Sequence, residues 1–164
     1  ICNFIFLMKR LYLVRHGYTE TNQTVADYSR VLSNYGIEKT YNNFNILKNK
    51  NYIIDYVLSS TSIRTKQTFD ILNKIYNLPE ELVCFRKSLY YIELHEFIEM
   101  ISCFNNKYNN IMTIGHNPTL SNAANYLTGE NEIFLQPSNI VIIDFSINKW
   151  EEISFNTGEK IEII

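Results

Sequence analysis

Cysteine is scarce in this chain, and its few copies stand apart. Cys2, Cys84 and Cys103 form no CxxC pair and no Cys/His cluster at zinc spacing. A disulfide framework and a structural zinc site are therefore not expected, and reduced thiols in a cytoplasmic protein are. An excess of charge of one sign is lacking too. The net charge is -2, so no surface for nucleic acid or for an anionic membrane is expected, although a pocket of a few arginines does not register in a net charge. No run approaches the ~18 apolar residues that span a bilayer. The first eight residues are apolar, but they carry no basic start and no small-residue cleavage site, so no secretory signal is read there. Met8 stands just before a strand pattern and is taken as the start of the folded unit, with residues 1–7 an N-terminal extension. Glycine and proline are few, at 5 and 3, and no linker, repeat or low-complexity segment divides the chain beyond a general richness in asparagine.

What is present suits one folded domain over residues 8–164. The chain has 164 residues, 46% hydrophobic and 20% charged, enough to bury a core without staples. The lean towards Ile, Asn, Lys, Tyr and Phe reads as coding bias, so single asparagines are not taken as ligands one by one.

Leu11 to Val14 is a short apolar run of strand formers that stops abruptly at Arg15-His16-Gly17. A helix begins near Ser33 to Gly36, with Ile37, Tyr41, Phe44 and Leu47 on one face. Ile53 to Leu58 reads as a second strand, and a helix over Ile63 to Tyr76 follows Ser59-Ser60-Thr61, ending at Asn77-Leu78-Pro79. Glu81 to Phe85 is a third strand. Leu94, Phe97, Ile98 and Ile101 recur at helical spacing. Ile111 to Ile114 is a strand, after which Asn117 caps a helix with Pro118 at its first position and Gly129 past its end. Ile140 to Phe145 and Lys149 to Phe155 read as a closing hairpin, with a last strand at Ile161 to Ile164. This alternation predicts an α/β fold: a three-layer α/β/α sandwich with a mainly parallel sheet and an antiparallel edge.

Ligands of such folds sit beyond the carboxyl ends of the strands. Three strand ends carry polar residues and are read as strand, tight turn and helix start: Arg15-His16-Gly17, Ser59-Ser60 with Arg64, and Gly115-His116-Asn117. Helix N-termini favour anions, and arginine's planar fork grips phosphate. An imidazole attacks phosphorus only when unprotonated, and neighbouring guanidinium charge favours that form. Two arginines and two histidines at one anion fit phosphoryl transfer by nucleophilic catalysis.

The stretch Arg15-His16-Gly17-Tyr18-Thr19-Glu20-Thr21-Asn22 resembles the RHGxTxxN motif of the histidine phosphatase superfamily, also called phosphoglycerate mutase-like. Arg64 with Gln67-Thr68 resembles the second motif of that family, and Gly115-His116-Asn117-Pro118 its GHN motif. Asp27-Tyr28-Ser29-Arg30-Val31-Leu32, Leu89-Tyr90, Pro137-Ser138-Asn139 and Trp150 are similar to segments of the short SixA-like branch. The resemblance implies a phosphoglycerate mutase-like fold and an enzyme that needs no metal or cofactor. It also implies that His16 is the nucleophile and that Arg15, Arg64 and His116 complete the phosphate pocket, with Gly17 and Asn22 helping to bind phosphate. Asn117, in the GHN motif, and Tyr18, beside the pocket, are further substrate-binding candidates.

Glu93 is the first candidate for the general acid, with Glu20 and Asp27 behind it, although an acidic residue near a helix start often only complements the dipole. Asp27 and Arg30 are read as a loop-ordering pair, and His95 as a solvated surface residue. The expected partner is a phosphorylated substrate, foremost a histidine-phosphorylated signalling protein. A sugar or nucleotide phosphate is the alternative, and an inactive phosphate-recognising module is the rival of another class.

Overall fold

The computed structural model describes residues 8–21 and 24–164. The extension read at residues 1–7, and Asn22, lie outside the described residues. Six strands form one sheet: β1 (Lys9–Arg15), β2 (Tyr56–Ser60), β3 (Val83–Arg86), β4 (Asn110–Gly115), β5 (Ile140–Phe145) and β6 (Gly158–Ile163). Their order is β3-β2-β4-β1-β5-β6. β3, β2, β4 and β1 are parallel, while β5 runs antiparallel to both β1 and β6. Four helices cover the faces: α1 (Asn34–Asn49), α2 (Ile63–Tyr76), α3 (Leu94–Ser102) and α4 (Thr119–Thr128).

The period-two alternation of β1 builds the three layers. Leu11 and Leu13 point into one apolar core with Phe97 and Ile101 of α3 and Leu120 and Ala124 of α4. Tyr12 and Val14 point into the other, with Phe44 and Leu47 of α1 and Phe69 and Leu72 of α2. The inner strands β1, β2, β4 and β5 are thus buried on both faces, as their nearly unbroken apolar runs require. Among the described residues, no helix is long and apolar enough to cross a membrane.

Four sequence expectations need correction. The buried face of α1 carries Gly36, Thr40, Asn43, Phe44 and Leu47, while Ile37 and Tyr41 are exposed. Packing against the loop after β1 turns this helix, and it needs small residues there: a Cβ on Gly36 would lie 2.0 Å from the Tyr18 carbonyl oxygen. The second strand starts at Tyr56, and Ile53 is exposed before it. Residues 149–155 do not form the partner of β5. Trp150 is fully buried, its indole N–H donates to the Tyr108 carbonyl at 2.8 Å, and a short 3-10 turn spans Trp150–Glu152. β6 takes the expected hairpin position instead. Finally, β1 does not feed a helix directly. A long loop intervenes before α1, containing a 3-10 turn at Asp27–Ser29 and a bridge between Thr19 and Leu32.

Candidate active site

The parallel register pairs Arg15 with Gly115, so His16 and His116 leave neighbouring strands at the same level. Their rings lie 5.1 Å apart, and they line a cavity of about 650 Å³ together with Arg15 and Arg64. Arg64 arrives from the first turn of α2, whose N-terminus is capped by Ser62.

The His16 segment is held from two sides. The His16 N–H donates to the Gly115 carbonyl at 3.1 Å, and the Ser138 N–H to the His16 carbonyl at 3.0 Å. Ser138 is itself fixed, by Thr40 through the two hydroxyls and by Asn43 donating to its carbonyl. His16 Nδ1 lies 2.8 Å from the Gly17 carbonyl oxygen. A carbonyl can only accept, so Nδ1 carries the proton and Nε2 keeps its lone pair. Among the described residues, that Nε2 makes no hydrogen bond. Burial pushes the His16 pKa down to about 4; the Gly17 carbonyl pulls the other way more strongly than any one arginine charge, and Arg64, Arg15 and Arg30 each add to the lowering. The ring is therefore neutral at ordinary pH.

His116 is engaged at both nitrogens. Arg64 Nη2 approaches Nδ1 at 3.4 Å, and a guanidinium can only donate, so Nδ1 is the acceptor. Nε2–H then donates to Ser60 Oγ at 2.9 Å. Burial, followed by His16 and Arg64, lowers its pKa to about 3. Both arginines present a buried Nε–H with no partner among the described residues. Buried donors are seldom left unpaired, and these two arginines line the same cavity as a neutral histidine. The arrangement can grip a tetrahedral anion and offer a lone pair to its central atom.

The other expected residues are placed as follows. Tyr18 lines the cavity, edge-on to Tyr35 at 5.0 Å. Gly17 has a packing task rather than a free N–H: its amide donates to Thr68 Oγ1 at 3.1 Å, and a Cβ there would lie 2.6 Å from Thr40 Oγ1. Asn117 lines the cavity, but its side chain is engaged, donating to the Leu135 carbonyl at 3.0 Å and accepting from Ser121 Oγ at 2.9 Å. Glu93 reaches the cavity mouth as the N-cap of α3, with the Glu96 carboxylate accepting from its N–H at 3.1 Å. Capping meets the need for a carboxylate there. Glu20 lies outside the cavity lining, and His95 is exposed.

Asp27 pairs with Arg30 at 3.1 Å as expected, and it also holds Arg64 through Nη2 at 2.8 Å, a contact sequence reasoning missed. Tyr90 was missed as well: its hydroxyl donates to Asp27 Oδ2, and its ring lies under Arg64 and edge-on to His116. Ser60 was seen only as a strand end. The one sequence signal for these was the presence of Asp27 and Tyr90 in SixA-like segments.

Residues 11–83 match the model of the "Histidine phosphatase superfamily (branch 1)". That stretch holds Arg15, His16 and Arg64, and the geometry supplies His116 beside them. Over that stretch the chain is similar to the histidine phosphatase superfamily. An uncharacterized chloroplastic protein of Arabidopsis thaliana is 28% identical over 155 residues, covering 89% of this chain and 71% of the relative. Among solved structures, the protein histidine phosphatase SixA complexed with tungstate superposes with a TM-score of 0.81 at 20% identity, over 94% of this chain and 96% of that one. The alpha-ribazole phosphatase of Shigella flexneri gives 0.66 at 20% identity, over 84% and 92%. At these identities the structural likeness speaks for the fold, which is that of the histidine phosphatases.

Proposed function

We propose that this histidine phosphatase works through a phosphohistidine formed at His16 Nε2, and that its substrate is a phosphorylated side chain of a protein, a phosphohistidine foremost. The observation that carries the mechanism is the fixed tautomer of His16, which lines one cavity with Arg15 and Arg64 and whose Nε2 makes no hydrogen bond among the described residues. In the first step the Nε2 lone pair forms a bond to phosphorus, and the bond from phosphorus to the leaving atom breaks, its electron pair going to that atom. In the second step water attacks phosphorus, the bond to Nε2 breaks with its electrons returning to His16, and the water proton passes to the departing phosphate. Arg15 and Arg64 balance the charge of the three equatorial oxygens, and His116 stands beside them.

The leaving group follows from the carboxyl groups at hand. The Tyr90 hydroxyl, Arg64 and Arg30 hold the Asp27 carboxyl down to about 2, so it is an anion and not an acid at neutral pH. Glu93 caps a helix. A site without a held proton favours a leaving group that departs easily, and a protonated imidazole does. A second reading, a small-molecule phosphomonoesterase, draws on the cavity itself: about 650 Å³ is within the usual range for small-ligand pockets.

The test is hydrolysis of p-nitrophenyl phosphate with EDTA present, native against His16→Ala. Turnover that survives EDTA and falls on the order of 10⁴-fold or more in the variant is expected. Equal turnover in the two proteins would remove His16 as nucleophile. Comparing kcat/KM on phosphohistidine proteins and on sugar and nucleotide phosphates then separates the two substrate readings. Phosphoprotein binding without turnover on any of them would point to a recognition module.

A further inference from the structure

Arg64 is the better buried of the two phosphate-facing arginines, and its fork is already taken. Nη1 donates to the main-chain carbonyl of Asp27 and Nη2 to its carboxylate Oδ2 at 2.8 Å. The second Nη2 hydrogen faces His116 Nδ1. Nη1 and Nη2 both hold Asp27, so a phosphoryl group gripped end-on through that pair takes hydrogens Asp27 now holds, whereas one gripped side-on takes the unpartnered Nε–H and the Nη2 hydrogen that faces His116. Either grip would also bring its charge against the Asp27 carboxylate. The two anions compete for one fork.

The surroundings decide which of them can give way. The Arg64 side chain is 7% exposed and that of Asp27 51%, so the acid can leave and the arginine cannot. Asp27 opens a three-residue 3-10 turn on the loop between β1 and α1. Arg30, three residues along, already touches its other oxygen, Oδ1, at 3.1 Å. A carboxylate that lets go of Arg64 therefore keeps a cation. Tyr90 steadies the closed arrangement, donating its hydroxyl to Oδ2 while its ring lies 5.6 Å from the Arg64 guanidinium.

We propose that Asp27 is a positioning residue that competes with phosphate for Arg64: it holds the arginine fork when the site is free, yields it to an entering phosphoryl group, and retakes it as product phosphate departs. The inference rests on the phosphatase reading above and adds to it a reason for product to leave. Without such a competitor, a pocket of two desolvated arginines would retain inorganic phosphate.

Calorimetric titration with tungstate tests this directly, using the native protein, Asp27→Asn and Tyr90→Phe. Asparagine keeps the shape and loses the charge, so Asp27→Asn should bind tungstate about tenfold more tightly. Tyr90→Phe loosens the closed arrangement and should shift binding the same way by a smaller factor. In steady state on p-nitrophenyl phosphate, KM and the inhibition constant for phosphate should fall together in Asp27→Asn while kcat does not rise. Tungstate binding unchanged or weakened in Asp27→Asn, with the native protein binding and turning over, would overturn the competitor alone and leave Asp27 as a loop anchor. No tungstate binding by the native protein would overturn the phosphatase reading, and this one with it.

Discussion

His16 and His116 follow adjacent parallel strands, lie ring against ring, and share the same arginines, yet they differ in what their nitrogens are free to do. His16 has one nitrogen tied to the carbonyl of its own neighbour and the other without a hydrogen bond among the described residues. His116 has both engaged, by Arg64 on one side and Ser60 on the other. Burial and positive charge make each ring neutral, but neutrality alone does not make a nucleophile. The difference is that Nδ1–H of His16 donates to a main-chain carbonyl and leaves Nε2 its lone pair, whereas the acceptor nitrogen of His116 is already taken by Arg64.

Rapid-quench labelling with a 32P-phosphorylated substrate should separate the two rings most sharply. His16→Ala should trap no phosphoenzyme, whereas His116→Ala should still label. Label retained in His16→Ala would erase the contrast. Next in size, His116→Ala should lower kcat by roughly 10²- to 10³-fold, as removal of one charge-stabilising group does, read from single-turnover kinetics. Ser60→Ala leaves His116 Nε2–H without its acceptor and should cost about fivefold in kcat, with His16 labelling intact. A Ser60→Ala loss as large as that of His116→Ala would mean that the hydroxyl, and not the ring, does the work.

The smallest effect is on stability. Both rings are neutral in the fold and protonate near 6.5 once unfolded, so between 6.5 and about 4 for His16, or about 3 for His116, the unfolded chain binds more protons. Stability therefore rises with pH through that window and is lost as pH falls through it. Urea midpoints measured from neutral pH downward should decline over this range, less steeply in His16→Phe.

The alternation of apolar runs with helical spacing made the three layers legible, and both ends of α2 were legible because Ser59-Ser60-Thr61 before it and Asn77-Leu78-Pro79 after it mark them chemically. The four principal candidate residues were legible because Arg15, His16 and His116 stand at or just past a strand end and Arg64 opens the helix after one. The rest depended on partners distant in sequence. Nothing near Asp27 announces that its carboxylate meets Arg64, and nothing near Ser60 announces a histidine. Asn117 and Gly17 looked like ligand contacts because they flank the histidines, but their amides are engaged by Leu135 and Thr68. Trp150 misled in another way. Its β-prone surroundings suggest a strand, and only the buried pocket beside Tyr108 explains why the chain turns instead.

The antiparallel strand β5 sits directly beside β1, so the floor under His16 comes from opposite parts of the chain. Arg15 Nη1 donates to the Leu135 carbonyl across 120 residues, and Ser138 closes on the His16 carbonyl just before β5 begins. As the polypeptide leaves the ribosome, the nucleophile's loop emerges early and the segment that seats it emerges late. Until then His16 lies on an unfinished edge with no fixed geometry. The seating of His16 thus arrives late in synthesis, and a nascent chain carrying the full RHG motif still lacks the contacts that fix it.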